Sequence, residues 1–244
     1  GCTVHAGAKL YFRAPDGTQT ELCADMNEAF SQSFTMKGVL YLMDGKTYRA
    51  VRKSSKSTAW EAVSVSGTAY VPTTTISAAP TGGGTSYEAV NLLTPKRINT
   101  FIGDGTATQF KADATDLDES GVTAEVNGSA VTVSAVNRST GLVTLAAAPA
   151  NGNGLANVSI AFAKTVSGHA DKINKCRFAG LYGGKNDTRV FLSGNPDEPD
   201  CDWQSGLYDP TYFPDTGYTR MGTDASAIVG YLKQYESQVV VKSG

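Results

Sequence analysis

Apolar and polar positions in this chain change over at strand-length intervals, with turn residues between them, and few stretches keep a helical period. Residues 3–13 (TVHAGAKLYFR) alternate loosely and end at Ala14-Pro15-Asp16-Gly17, a turn signal in which Pro presets φ and Gly reaches positive φ. Residues 20–34 are ambiguous. Leu22, Met26, Phe30 and Phe34 recur every four residues, as on one face of a helix, but the Ser-Gln-Ser interruption and the β context favour strand and loop. Residues 39–42 and 47–51 flank Asp44-Gly45, a strong hairpin signal because Gly reaches positive φ without steric cost. Further strands are predicted at 59–65 and 68–75.

Four antiparallel strands in about 40 residues is the size of one propeller blade. Residues 78–84 (AAPTGGG) read as a flexible connector, after which NLLTP at 91–95 leads into text of another character. Strands are expected near 109–112, 122–126, 130–136, 142–146 and 158–162, with turns such as Asn127-Gly128 between them. Val122, Ala124 and Val126 alternate with polar neighbours, as do Val131 and Val133, the half-buried pattern of an antiparallel sandwich. The final stretch carries a strand at 189–193, then 201–205 with Trp203, and a closing hairpin at 227–232 and 238–242. The predicted fold is all-β: blade-like antiparallel sheets, propeller-like and either complete or partial, with an inserted small β-sandwich. The body is 1–96 plus 166–244 and the insert 97–165.

Composition agrees with this pattern. Apolar residues at 41% support a core, while charged residues at 18% leave room for Gly, Ser, Thr and Asn, which suit turns and strands better than helices. The net charge of −2 argues against a phosphate-tracking surface. The densest basic stretch, 49–56 (RAVRKSSK), reads as a solvated strand edge, so no nucleic-acid sequence reading is expected. No apolar run approaches the ~20 residues of a membrane helix. The chain opens with GCTVHAGAKLYF, without an initiator Met, which suggests a processed segment of a longer protein.

Candidate chemistry is sparse. Cys2, Cys23, Cys176 and Cys201 lie far apart, form no CxxC pair, and are expected to be reduced and partly buried. With two histidines, His5 and His169, in unrelated segments, no metal site and no catalytic base is predicted, and no cofactor. Asp197, Glu198, Asp200 and Asp202 cluster in a loop stiffened by Pro196 and Pro199, but the glycine-centred calcium loop is missing, so a surface loop is the simpler reading. Gly82-Gly83-Gly84 lacks the Lys-Ser/Thr of a phosphate loop, and Gly103-Asp104-Gly105 is a turn. Glu61, Glu125 and Asp202 offer carboxylates for a glycan hydrolase, but no spacing singles out a pair. The chain reads as a non-enzyme.

The aromatic set Trp203, Tyr208, Tyr212, Phe213 and Tyr218, interleaved with prolines, is the main candidate for a subunit interface or a ligand surface. Residues 189–222, RVFLSGNPDEPDCDWQSGLYDPTYFPDTGYTRMG, resemble a signature of tailed-phage and prophage structural proteins, in which an SGNP turn precedes a DPTYFP segment. HAGAKLYF at 5–12 and GVLYLMDGKTYRAV at 38–51 look like blade hairpins of the same proteins, and 103–110 (GDGTATQF) is similar to their small decorating sandwiches.

That resemblance implies a virion protein of the head-to-tail connection, nozzle or tail hub, assembled in the host cytoplasm. It would act through protein–protein contacts with itself, as a ring or homo-oligomer, and with neighbouring virion proteins. The alternative is a host-recognition module in which the aromatic loops bind cell-surface glycan.

Overall fold

The computed structural model describes residues 1–223 and 226–244. The chain is all-β, built from open and mainly antiparallel sheets; among the described residues none closes into a barrel or propeller. It divides into two compact units, a body of Gly1–Ala69 with Gly168–Gly244 and an insert of Tyr70–Ser167.

The body begins with a three-stranded meander of β1 (Cys2–Ala6), β2 (Lys9–Arg13) and β3 (Gln19–Cys23). Residues 3–13 thus form the two strands of an antiparallel hairpin. Gly7, at φ +59°, makes the tight turn that lets Ala6 pair with Lys9. A loop carrying the buried Met26 leads to β4 (Gln32–Met36), so the four-residue spacing of 20–34 is strand, loop and strand.

A four-stranded meander follows, in which β4 precedes β5 (Val39–Met43), β6 (Tyr48–Lys53) and β7 (Trp60–Ser64). Its central strands are apolar without alternation because both faces are covered. Leu42 and Val51 pack with Leu10 and Met26. On the opposite parity, Tyr41 and Tyr48 join a ring cluster with Phe34. The Asp44 carboxylate, fully buried, accepts from the backbone N–H of Asn27, Lys46 and Thr47 at 2.7, 2.9 and 2.6 Å. The hairpin turn therefore also anchors the preceding loop.

The strand expected at 68–75 does not complete this sheet. Val65–Thr68 is a short 3-10 turn, and β8 (Thr73–Ala78) belongs to the insert. There β8 pairs with β9 (Thr85–Ser86) and, in parallel, with β10 (Lys96–Phe101). The insert unit starts at Tyr70 for that reason: the partners of β8 lie ahead of it in the chain. The remaining strands are β11 (Gln109–Lys111), β12 (Thr123–Val126), β13 (Ser129–Val131), β14 (Val133–Asn137), β15 (Leu142–Leu145) and β16 (Val158–Ala163). They form a six-stranded sheet in the order β13-β12-β16-β10-β8-β9 and a three-stranded sheet β11-β15-β14. The two sheets share a core of Phe101, Phe110, Val143, Leu145, Ile160 and Phe162. Beside it, the Asp113 carboxylate accepts from Thr74 Oγ1, Thr75 Oγ1 and Asn99 Nδ2 at 2.6, 2.8 and 3.0 Å. Each donor comes from β8 or β10, so one carboxylate ties the parallel pair to the loop after β11.

The chain returns to the body through a short helix, α1 (His169–Asn174), and a second four-stranded meander: β17 (Phe178–Tyr182), β18 (Arg189–Ser193), β19 (Cys201–Gln204) and β20 (Tyr218–Arg220). In the SGNP turn, Asn195 Nδ2 donates to the carbonyls of Asp171 and Lys172, satisfying acceptors of α1. Gln32 on β4 grips β17: its Oε1 accepts from Ala179 N–H at 2.8 Å and its Nε2 donates to Ala179 O at 3.3 Å. The chain closes with a two-stranded ribbon, β21 (Ile228–Gln234) and β22 (Ser237–Lys242). No helix among the described residues is long and apolar enough to cross a membrane.

Candidate interaction surface

The five aromatic candidates divide between core and surface. Trp203 on β19 is 1% exposed, tilted against Tyr218 at a centroid distance of 5.1 Å, with the Lys172 ammonium 5.2 Å from its ring centre. Phe213 is fully buried, edge-on to Tyr48 at 6.2 Å, and the Tyr48 hydroxyl donates to Pro210 O at 3.0 Å. The DPTYFP segment is therefore a strap: Pro210 and Phe213 dock it on the ring cluster of the first four-stranded sheet. Asp209 Oδ1 shapes its turn by accepting from Thr211 N–H and Oγ1 at 2.9 and 2.6 Å. Tyr212 is half-buried; Tyr208 and Tyr218 remain 44% and 46% exposed. The structure thus brings Trp203 and Tyr218 together, packs Phe213 elsewhere, and leaves two of the five rings as open surface.

Tyr208 sits on a knuckle the sequence pattern did not single out. A bridge between Gly206 and Asp209 closes the turn, and Leu207 at its tip is 62% exposed. Tyr208 holds φ +54°, a left-handed conformation that costs a bulky residue energy and tends to accompany function. Its N–H donates to Thr188 O at 2.6 Å, and Lys37 Nζ stands 5.9 Å from its ring centre. An exposed Leu beside an oriented Tyr and a cation has the make-up of an interface anchor.

A second apolar surface lies on the closing ribbon, also outside the aromatic set. Leu232 is 64% exposed, Val229 42%, Val239 39% and Val241 36%. The signal was present in the unbroken Val239-Val240-Val241 run of a two-stranded element, which cannot bury both faces.

The titratable groups of the acidic loop are occupied. Asp200 and Glu198 pair with Arg220 at 2.7 and 2.8 Å, and Asp197 with Lys175 at 2.7 Å. Asp202 is 2% exposed and accepts from the Tyr231 hydroxyl at 2.6 Å; burial pushes its carboxyl up to about 6, against the lowering effect of that bond. Burial likewise raises the Cys176 thiol well above its ordinary value and the Cys201 thiol to about 12, so both stay protonated and unreactive. Among the described residues no three His, Cys, Asp or Glu side chains converge as a metal set. In the basic stretch, Arg49 pairs with Asp25 and Arg52 with Glu61. The insert carries an open groove of about 670 Å³ lined by residues such as Val126, Val131, Leu145 and Pro149, with no ionisable side chain.

No family model, curated protein or solved structure matches the chain.

Proposed function

We propose that the chain is a structural component of a tailed-phage virion, at the head-to-tail connection, nozzle or tail hub, and that it works through protein–protein contacts without catalysis. The observation that carries this reading is the body's pair of four-stranded antiparallel meanders, β4–β7 and β17–β20, each the strand content of a propeller blade. The first is covered on both faces, as a blade is by its neighbours, and Gln32 links it to the second. The resemblance at residues 189–222 supports it further, since the DPTYFP segment is the strap that docks on the first meander. The exposed apolar knuckle at Leu207 and Tyr208 suits a surface that meets another subunit.

A glycan-binding role is less favoured. Stacking on a sugar needs an open ring face; Trp203 and Phe213, at 1% and 0% exposure, offer none, and only Tyr208 and Tyr218 of the five candidates stand open.

The test is deletion of the coding sequence in the phage or prophage that carries it, with electron microscopy of the products. The expected outcome is heads and tails accumulating separately, or particles lacking the tail tip. Particles of normal form and infectivity would overturn the proposal.

A further inference from the structure

The closing ribbon lies over one face of the β17–β20 sheet, with a buried carboxylate between them. In register, Ser193 on β18 and Asp202 on β19 stand side by side next to the Leu192–Trp203 pair, and Asp202 pairs with Thr219 on β20. On this face Gly180 of β17 leaves room for the ribbon: a Cβ there would lie 2.8 Å from Tyr231 Cγ and 2.6 Å from Gln238 Nε2. The Tyr231 hydroxyl donates to Asp202 at 2.6 Å, beside the buried Ser193 hydroxyl. Ile228, fully buried, donates its N–H to Pro199 O at 2.9 Å, and the Tyr182 hydroxyl donates to Glu236 O in the ribbon's turn.

The cations around this interface are bonded elsewhere. Arg189, on the same face, donates to Ser205 O, while Lys233 and Lys242 of the ribbon bond Asp187 and Met221 O. Lys172 and Arg220 belong to the other face of the sheet: Lys172 stands over Trp203, and Arg220, opposite Cys201, holds Glu198 and Asp200. The Cys176 thiol, which lies near Asp202, is kept protonated by burial. Asp202 is 2% exposed, so its charge has a neutral hydroxyl to lean on and no ion pair among the described residues. A carboxylate so placed prefers the proton while the ribbon covers it, and loses that preference once water reaches it.

We propose that Asp202 and Tyr231 form a pH-sensitive latch, which seats the closing ribbon in mild acid and lets it lift as the carboxylate ionises. Burial under the ribbon raises the Asp202 carboxyl from 3.8 to about 6. The seated state therefore holds the proton more tightly than the lifted one. Its advantage is complete below pH ~4, is lost as the pH rises through about 6, and changes no further above that. A lifted ribbon does not persist as structure, because two strands without a packed face are marginal in water. Lifting is thus read as exchange of the ribbon's own amides, at a free energy below that of global unfolding. The latch belongs to the fold of the body and does not depend on the virion role.

The test is hydrogen exchange of the full chain at pH 5 and pH 7, as wild type and Asp202→Asn, with rates corrected for the intrinsic pH dependence of amide exchange. In the wild type, protection of residues 229–241 is expected to fall about tenfold between the two values, the linkage effect of a carboxyl moving from about 6 to 3.8 on lifting. Protection of β16, in the core of the insert, is expected to stay level. Asp202→Asn keeps an acceptor for Tyr231 and carries no charge, so its ribbon should be protected alike at both values. A wild-type fall of less than about threefold, where linkage requires about tenfold, would overturn the latch. So would a fall shared equally by β16, which marks global unfolding, or a fall that survives in Asp202→Asn.

Discussion

Asp202 is a buried carboxylate that accepts from the Tyr231 hydroxyl at 2.6 Å. Its carboxyl rises from 3.8 to about 6 on folding, so the native state binds the proton more tightly than the unfolded chain. The sign follows: this group favours folding most below pH ~4, loses that contribution as pH rises through about 6, and is a constant burden above it. At roughly 1.36 kcal/mol per unit the burden is about 3 kcal/mol at most. Asp202→Asn keeps an acceptor for Tyr231 and removes the charge, so it should stabilise the fold by about 1–3 kcal/mol at pH 7.5 and by little at pH 4. Urea unfolding at the two pH values checks this; equal effects at both would contradict it. The thiols make a companion case. Cys176 and Cys201 are buried and protonated while Cys2 is exposed, so a disulfide reagent should label Cys2 at once and those two only after unfolding.

At the scale of elements, the knuckle and the strap answer to different physics. Tyr208 at φ +54° pays in backbone strain for an exposed ring, so Tyr208→Gly should leave stability unchanged or raise it by about 1 kcal/mol while weakening association with any partner that uses the knuckle. Thermal unfolding and partner pull-down with the same protein separate the two effects. The strands at 39–43, 48–53, 189–193 and the closing hairpin were legible in the sequence because turn chemistry and apolar runs coincide there. Gly7 as a hairpin turn was signalled only by the resemblance of 5–12 to a blade hairpin, since it stands between alanines without Asn, Asp or Pro to mark it. Lys96–Phe101 escaped for another reason: Arg97 and Asn99 are polar yet face inward with Phe101, and the buried amide of Asn99 is satisfied by Asp113, Thr74 and the Ile98 carbonyl. Among the candidate aromatics, spacing could not separate core from surface. Trp203 and Phe213 are buried because strands and strap close over them, and that closure is a tertiary property.

At the scale of the whole molecule, two compact units with separate cores should unfold as separable events. Phe101→Ala removes a fully buried ring from the insert core and Phe213→Ala one from the body; each should cost about 3–5 kcal/mol in its own unit. Calorimetry should then show one transition lowered by each variant, and a single transition shifted alike by both would contradict independent units. The parallel pairing of β8 with β10 is what moves the start of the insert to Tyr70, a long-range choice that no local pattern announces. The proposed role places all functional demand on contacts between subunits, and it is tested most directly by counting the chain in purified particles. Quantitative peptide mass spectrometry of tailed particles from the host that carries the sequence should find it at a fixed, low copy number relative to the capsid protein. Its absence from washed particles, or a copy number that varies between preparations, would contradict a structural place in the virion.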